Sequence, residues 1–415
     1  MPTSGIIQLA QLISSQTAVL DTHLQSNNLP QPSFHPDGPT EPIQQSTPVI
    51  AKAKTDVIEA AIELRQLLEG PMKLLLPESN FSPLVAVHRF KIASFVPVDS
   101  AISFGDLADK CGLLEHDVKC IVRYTAVHHR LFCEPAKGYV AHTAASRLLA
   151  EDPIAGHLMV LHYDECWPAH NRTVDAIAQR SDEANMSGYA FANNTSLNTF
   201  QFLSHNPSRA QRFAAAMATT STASLDALSS HFDWNQLPSN STVVDLGGSQ
   251  GHVSVHLARK FPHLRFIVQD IAEVVEGATD KLPDDVKGRV EFIAHDMFEE
   301  QPVRAEVYLM RYVLHDWQDK YCVEILRNLV PSLKAGSKVV LQEYLLPEPG
   351  TMTLLQEMQM RSMDATMLSL FNSRERDVED WKILFRIADS RFMGFTANRA
   401  GGTGSSGVVI VEWSP

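Results

Sequence analysis

Cysteine is scarce and scattered in this chain. The five residues (Cys111, Cys120, Cys133, Cys166 and Cys322) are odd in number and never spaced as C-x-x-C. That argues against a disulfide framework or a zinc cluster, and it implies reduced thiols in the cytoplasm. No apolar run approaches the roughly 18 residues that a membrane-spanning helix needs. Basic residues are outnumbered, with 35 Lys+Arg against 48 Asp+Glu and a formal net charge of −13. Nucleic-acid binding draws its affinity from clustered Lys and Arg, so the balance argues against it. The first 51 residues hold no Lys or Arg at all, and the opening MPTSGIIQLAQLISSQ therefore lacks a signal peptide's basic start. What remains is ordinary for a globular chain: 415 residues, 44% hydrophobic and 20% charged. At about 150 residues per domain, two or three domains are expected, and disorder throughout is excluded.

In the N-terminal part, Ile6, Leu9, Leu12, Ile13, Val19, Leu20 and Leu24 follow helical spacing and give one oily face. Residues 26–48 are rich in Pro, Gln, Ser and Asn and read as a linker. Such a helix buries its face against its own body or a partner subunit. Without flanking basic residues its adsorption to a membrane is weak. Residues 51–69 (AKAKTDVIEAAIELRQLLE) predict a helix stopped by Gly70-Pro71. Further on, Ser103 followed by Asp106 resembles a capping box, and LFCEPAKGYVAHT alternates around a turn at Lys137-Gly138. Helix, helix, helix, hairpin is the order of a winged helix. Its mixed charge, without a basic stripe, favours a dimerisation role over DNA binding. Residues 150–235 read as mainly helical. Trp167, Phe200, Phe202, Phe213 and Met217 are assigned first to core, as are His157, His162 and His170 beside Tyr163 and Trp167.

The pattern changes at Thr242, where short apolar strands begin to alternate with helices: VVDLGG, FIVQD, VEFIAHDMF, AEVYLMRYVLHDW and KVVLQEYLL, with HVSVHLARKF and YCVEILRNLVPSLKAG between them. The second of these helices is expected to close at Gly336. This is the signature of an α/β doubly wound parallel sheet, and SGVVIVEW adds a final antiparallel strand. The expected domains are 1–50 (leading helix and linker), 51–165 (winged helix), 166–235 (helical connector lining a substrate pocket) and 236–415 (cofactor-binding).

In such sheets ligands settle beyond the carboxyl ends of the strands, where the strand order reverses. Asp245, Gly247, Gly248 and Gly251 lie at such an end, in DLGGSQG. Glycines let the backbone approach a ligand, and the following helix offers its positive N-terminus. A dinucleotide site typically reads GxGxxG; this turn opens with Asp, which favours a small cationic ligand over a pyrophosphate. Asp270 closes the second strand, where a carboxylate can accept hydrogen bonds from a ribose. Asp296, Met297 and Phe298 offer a carboxylate and apolar surfaces suited to an adenine. No spacing makes a metal site.

Taken in order, VVDLGGSQGHVSVHLARKFP, FIVQD, HDMF, RYVLHDW, GSKVVLQEYLLPEPG and RERDVEDW resemble the class I S-adenosylmethionine-dependent O-methyltransferases of plant and fungal secondary metabolism, the caffeic-acid and isoflavone type. The resemblance covers roughly residues 55–415. It implies a Rossmann-like sheet with an N-terminal, mainly helical, winged-helix-like dimerisation domain, a homodimer, and a small-molecule acceptor. By position it puts Asp245, Gly247, Gly248 and Gly251 around the methionine part of the cofactor, Asp270 on its ribose, and Asp296, Met297 and Phe298 at its adenine. Arg311 falls near the rim and fits a cofactor contact or a solvent-edge salt bridge equally. Ser249 and Arg311 depart from the glycine and lysine of many relatives.

Free phenols titrate near pH ~10, so methyl transfer to a hydroxyl gains from a nearby base, and histidine suits that task. The resemblance puts His315 (LHDW) in that role, with Glu343 (LQEYLL) and Glu375 (SRERD) orienting the ring. Taken singly, Glu343 also fits a structural strand residue and Glu375 a partner of Arg374 or Arg376. Related fungal pericyclases of the leporin type keep the cofactor as a fixed positive charge, catalysing dehydration and pericyclic ring closure without consuming it. The His315, Glu343 and Glu375 set favours methyl transfer.

Overall fold

The computed structural model describes residues 5–41, 43, 47–76, 80–219, 222–399 and 406–415, with 218, 219 and 222–224 described for the backbone alone. The chain forms two compact units, one of residues 1–164 with 212–216 and one of residues 165–211 with 217–415.

In the first unit the leading helix, Gly5–Ser26, lies along a second helix, Pro48–Glu69. The hydroxyl of Thr47 caps the second helix at the N–H of Ile50, and Gly70 ends it at φ 75°. Leu20, Ile50 and Ala53 form the small core between them. Ile6, Ile7, Leu12 and Val19 stay exposed, so only the trailing part of the oily face is covered within the unit. Helices Ser82–Arg89, Ile92–Phe95, Phe104–Cys111 and Glu115–His129 follow. The Ser103 hydroxyl accepts the Asp106 N–H at 3.1 Å and starts the third of these. Strands β1 (Ile102–Ser103), β2 (Cys133–Ala136) and β3 (Tyr139–Ala141) make a small sheet in the order β1-β3-β2. Ala136 pairs with Tyr139 across the turn expected at Lys137-Gly138, where Gly138 has φ 92°. Val87, Ile92, Phe104, Leu107, Val118, Val122 and Val140 fill the core of this winged helix.

The second unit is built on a seven-stranded sheet of β4 (Thr242–Leu246), β5 (Arg265–Asp270), β6 (Val290–Ala294), β7 (Val307–Arg311), β8 (Lys338–Tyr344), β9 (Phe392–Arg399) and β10 (Ser406–Trp413). Their order is β6-β5-β4-β7-β8-β10-β9. The first five positions are parallel, and β10 runs antiparallel to both β8 and β9. Val243, Val244, Val307–Met310 and Val339–Leu341 are all buried, as the continuous apolar runs of a sheet covered on both faces require. One core gathers around Leu326, Trp381, Phe385 and Val409, the other around Trp234, Leu257, Phe266 and Val340. Strand order reverses at β4, and the tips of β4, β5, β7 and β8 share one edge of the sheet.

Several expectations are corrected. The helix beginning at Asp319 ends at Leu329, because Pro331 lacks the N–H needed to continue it; Gly336, at φ 82°, serves the turn into β8 instead. Strand β9 was not anticipated: Phe392 is its sole fully buried residue, and its strand state comes from pairing with β10. None of the bulky side chains assigned to core is fully buried: Trp167, Phe200, Phe202 and Phe213 are half-buried, and Met217 is exposed. His157 is half-buried, and His162 and His170 are exposed, so these do not form core either. Among the described residues no helix is long and apolar enough to cross a membrane.

Candidate active site

Asp245 sits at the tip of β4, 1% exposed, and its Oδ2 accepts the Ser254 hydroxyl at 2.6 Å. Burial pushes its carboxyl up to about 6, with the Ser254 hydrogen bond and the Arg311 charge opposing. The turn behind it is tight. A Cβ on Gly248 would stand 2.7 Å from Val268 and 2.8 Å from the Asp245 carboxyl carbon. Gly251, at φ 76°, opens the His252–Lys260 helix, and a Cβ there would stand 2.8 Å from the Phe292 ring. Gly247 donates its N–H to the Gln269 carbonyl at 2.8 Å, tying the turn to β5. Ser249 takes φ 52°, a left-handed conformation that a side chain disfavours and glycine adopts freely. Its N–H donates to Oδ2 of Asp270, and the Ile271 N–H to Oδ1, both at 2.9 Å. Burial raises the Asp270 carboxyl, and these two N–H groups hold it back.

The remaining expected contacts line the same strand ends. Asp296 is exposed and accepts the Phe298 N–H at 3.0 Å. Met297 and Phe298 are half-buried, and the Phe298 ring meets Trp317 edge-on with centroids 4.7 Å apart. Arg311 ends β7 opposite Gln342, and its Nε donates to that amide at 2.8 Å while its guanidinium lies 4.7 Å over the Tyr312 ring. Burial lowers its pKa, against the pull of Tyr312 and Asp245. Neither contact makes a solvent-edge salt bridge.

His315 stands on a single 3-10 turn, Leu314–Asp316, directly after β7, and is 7% exposed. Its Nδ1 lies 2.8 Å from Oε1 of Glu375 and 3.9 Å from Oε2 of Glu343. A carboxylate only accepts, so Nδ1 carries the proton, and in the neutral ring Nε2 is the free base. Nε2 faces Asp316, whose Oδ1 is 3.4 Å away. The sequence reading passed over this residue, although it adjoins His315 in LHDW. Burial alone would lower the imidazole's pKa, but Asp316, Glu375 and Glu343 outweigh it and raise it strongly. Burial raises Asp316 and Glu343 in turn, with the imidazole opposing. Asp316, Glu343 and the imidazole thus titrate as a set. Thus the nine residues Asp245, Gly247, Gly248, Gly251, Asp270, Asp296, Met297, Phe298 and Arg311 lie along one strand edge, and His315, Glu343 and Glu375 meet in a single cluster on it.

A model of the O-methyltransferase domain matches residues 172–391, just over half of the chain. The chain is 41% identical to O-methyltransferase pyvH of Aspergillus violaceofuscus, with all of both proteins covered. The chain belongs to the O-methyltransferase family. This S-adenosylmethionine-dependent O-methyltransferase is also 39% identical to the grayanic acid biosynthesis cluster O-methyltransferase of Cladonia grayi, over 99% of its own length and 88% of the relative's. Its fold is that of OxaC (TM-score 0.80, 18% identity, 99% of each chain covered). It is likewise that of LepI in complex with SAM (TM-score 0.71, 22% identity, 98% of this chain and 100% of that one).

The donor set of the O-methyltransferase fits its cofactor. Asp245 and Asp270 present a buried and a half-buried carboxylate at neighbouring strand tips, and a buried carboxylate is stabilised by a cationic partner. The half-buried Met297 and Phe298 offer apolar surface beside them.

Proposed function

We propose that the enzyme methylates a hydroxyl of a small aromatic or polyketide-derived metabolite, with His315 as general base. The observation that carries this reading is the 2.8 Å contact between Nδ1 of His315 and Glu375, which leaves Nε2 as the acceptor for a hydroxyl proton. Asp245, Gly247, Gly248 and Gly251 would hold the methionine part of the cofactor, Asp270 the ribose, Asp296, Met297 and Phe298 the adenine, and Arg311 the rim. Bound there, S-adenosylmethionine supplies an electrophilic methyl group on a sulfonium. His315 takes the acceptor's proton at Nε2, and Glu375 and Glu343 stabilise the resulting imidazolium. Asp316, facing Nε2, hydrogen-bonds the same proton as it arrives.

Incubation with candidate hydroxylated metabolites is expected to give S-adenosylhomocysteine and a product one methyl heavier. A cyclised product with the cofactor unchanged would select the pericyclase reading instead.

The winged helix and the exposed apolar residues Ile6, Ile7, Leu12 and Val19 support a homodimer, the scattered cysteines support a cytoplasmic protein, and the acidic balance supports one without nucleic-acid partners. Gel filtration of the full chain beside one lacking residues 1–50 tests the dimer; a full chain that elutes as a monomer refutes it.

A further inference from the structure

The turn carrying His315 is short, and a single helical turn leaves most of its backbone groups without internal partners. Opposite charges hold its two ends. At the leading end, Oε1 of Glu343 accepts the N–H groups of Val313 at 3.2 Å and Leu314 at 2.9 Å. At the trailing end, the Arg376 guanidinium donates to the carbonyls of Leu314 at 3.1 Å and Trp317 at 2.7 Å. A carboxylate on the N–H end and a guanidinium on the carbonyl end is the placement that a helical dipole favours. The thiol of Cys322 reaches the same two carbonyls, each at 3.2 Å.

Arg376 is fully buried, at 0% exposure, which is rare for arginine unless its donors are met. They are met. Nε and one terminal nitrogen donate to Oδ1 of Asp319 at 2.9 and 2.7 Å, and the guanidinium lies 5.1 Å over the Trp381 ring. Its immediate neighbour in the chain, Glu375, reaches the imidazole itself.

We infer that Arg376 is a positioning residue for His315: it fixes the backbone of the catalytic turn while Glu375 fixes the ring, so residues 375–376 set both the place and the rotation of the imidazole. The inference rests on the reading of His315 as the base. It also separates the two glutamates, since Glu375 acts on the ring and Glu343, 3.9 Å from Nδ1, acts chiefly on the backbone N–H groups.

The test is Arg376→Lys, which keeps the charge but replaces a rigid fork with a point donor. Displacing a catalytic group slightly is enough to cost about 10- to 100-fold, so kcat per folded molecule is expected to fall by that much, with KM for S-adenosylmethionine within about twofold. The 15N signals of the His315 ring are expected to shift with it. An arginine serving stability alone would lower the melting temperature and leave kcat per folded molecule and the ring signals unmoved, and that result overturns the inference. Should Arg376→Lys fail to fold, Asp319→Asn loosens the same clamp from its exposed side. It should move the ring signals in the same direction, and unmoved signals overturn the inference equally. His315→Ala run in parallel keeps the two readings apart. A small effect there removes the base while the ring signals still decide the clamp. A large effect there, with Arg376→Lys at wild-type kcat, removes the clamp alone.

Discussion

Asp245 at the tip of β4 and Glu343 near the tip of β8 sit at the same edge of one sheet, and burial raises both carboxyls, yet different groups surround them. Glu343 lies in a cluster that contains its own cations, the imidazole of His315 and, on the far end of the same turn, the guanidinium of Arg376. Asp245 has a serine hydroxyl at 2.6 Å, a glycine turn folded against it and the pull of the Arg311 charge. A buried carboxylate with a built-in cation is part of a machine already assembled. One whose hydrogen-bond partner is a neutral hydroxyl gains from a further charge brought from outside. On the function proposed above, the base end of the site is preorganised by the protein and the β4 end is completed by its ligand.

That contrast can be broken most forcefully at His315. Replacement by Ala should lower kcat by about 10²–10⁴-fold while cofactor affinity in calorimetry holds. A loss below about tenfold would strip His315 of its role, since general-base catalysis is worth more than that. At the receptor end the pattern should invert. Asp270→Ala removes a charged acceptor worth about 1.5–3 kcal/mol, so S-adenosylmethionine binding should weaken about 10- to 150-fold. Unchanged affinity would refute the ribose assignment.

The pH dependence sharpens the comparison further. The base must be neutral to act, so kcat/KM should rise with pH as the imidazolium loses its proton. Asp316 favours the imidazolium, and deleting its charge in Asp316→Asn lowers the ring's pKa. The ascending limb of the pH–rate profile should therefore move toward acid; a limb that stays put, or moves toward alkali, contradicts the electrostatic account. The smallest effect is expected at Ser249, whose positive φ strains a residue with a side chain. Ser249→Gly relieves that strain, and the fold should gain up to about 1 kcal/mol, read as a higher melting temperature, with cofactor affinity unchanged. Weaker binding in titration calorimetry would show that the serine side chain contributes to the site.

Much of the fold was legible because its signals are local. Apolar runs such as VVDL and VYLM can only be satisfied in a sheet covered on both faces, and Lys137-Gly138 between alternating segments left little choice but a hairpin. The failures share a cause as well. FMGFTANR carries little intrinsic strand preference and becomes β9 through its partner β10. Trp167 and Phe200 look like core by composition, but short helices such as Thr199–Ser204 leave them half-covered. Asp316 went unread since a side chain's direction from a one-turn helix depends on what packs around it.

By itself the sequence determined the alternation of strands and helices from β4 to β8, the glycine turn after Asp245, and the identity of the histidine and glutamates that resemble a methyl-transfer set, because periodicity, turn chemistry and motif order are properties of neighbouring residues. Only the tertiary structure decided that Glu375, rather than Glu343, touches the imidazole, that Asp316 faces the other nitrogen, and that Arg376 is buried beneath the turn. Those relations join residues about 30 to 60 positions apart, or turn on side-chain direction, and both are set by packing rather than by the local chain.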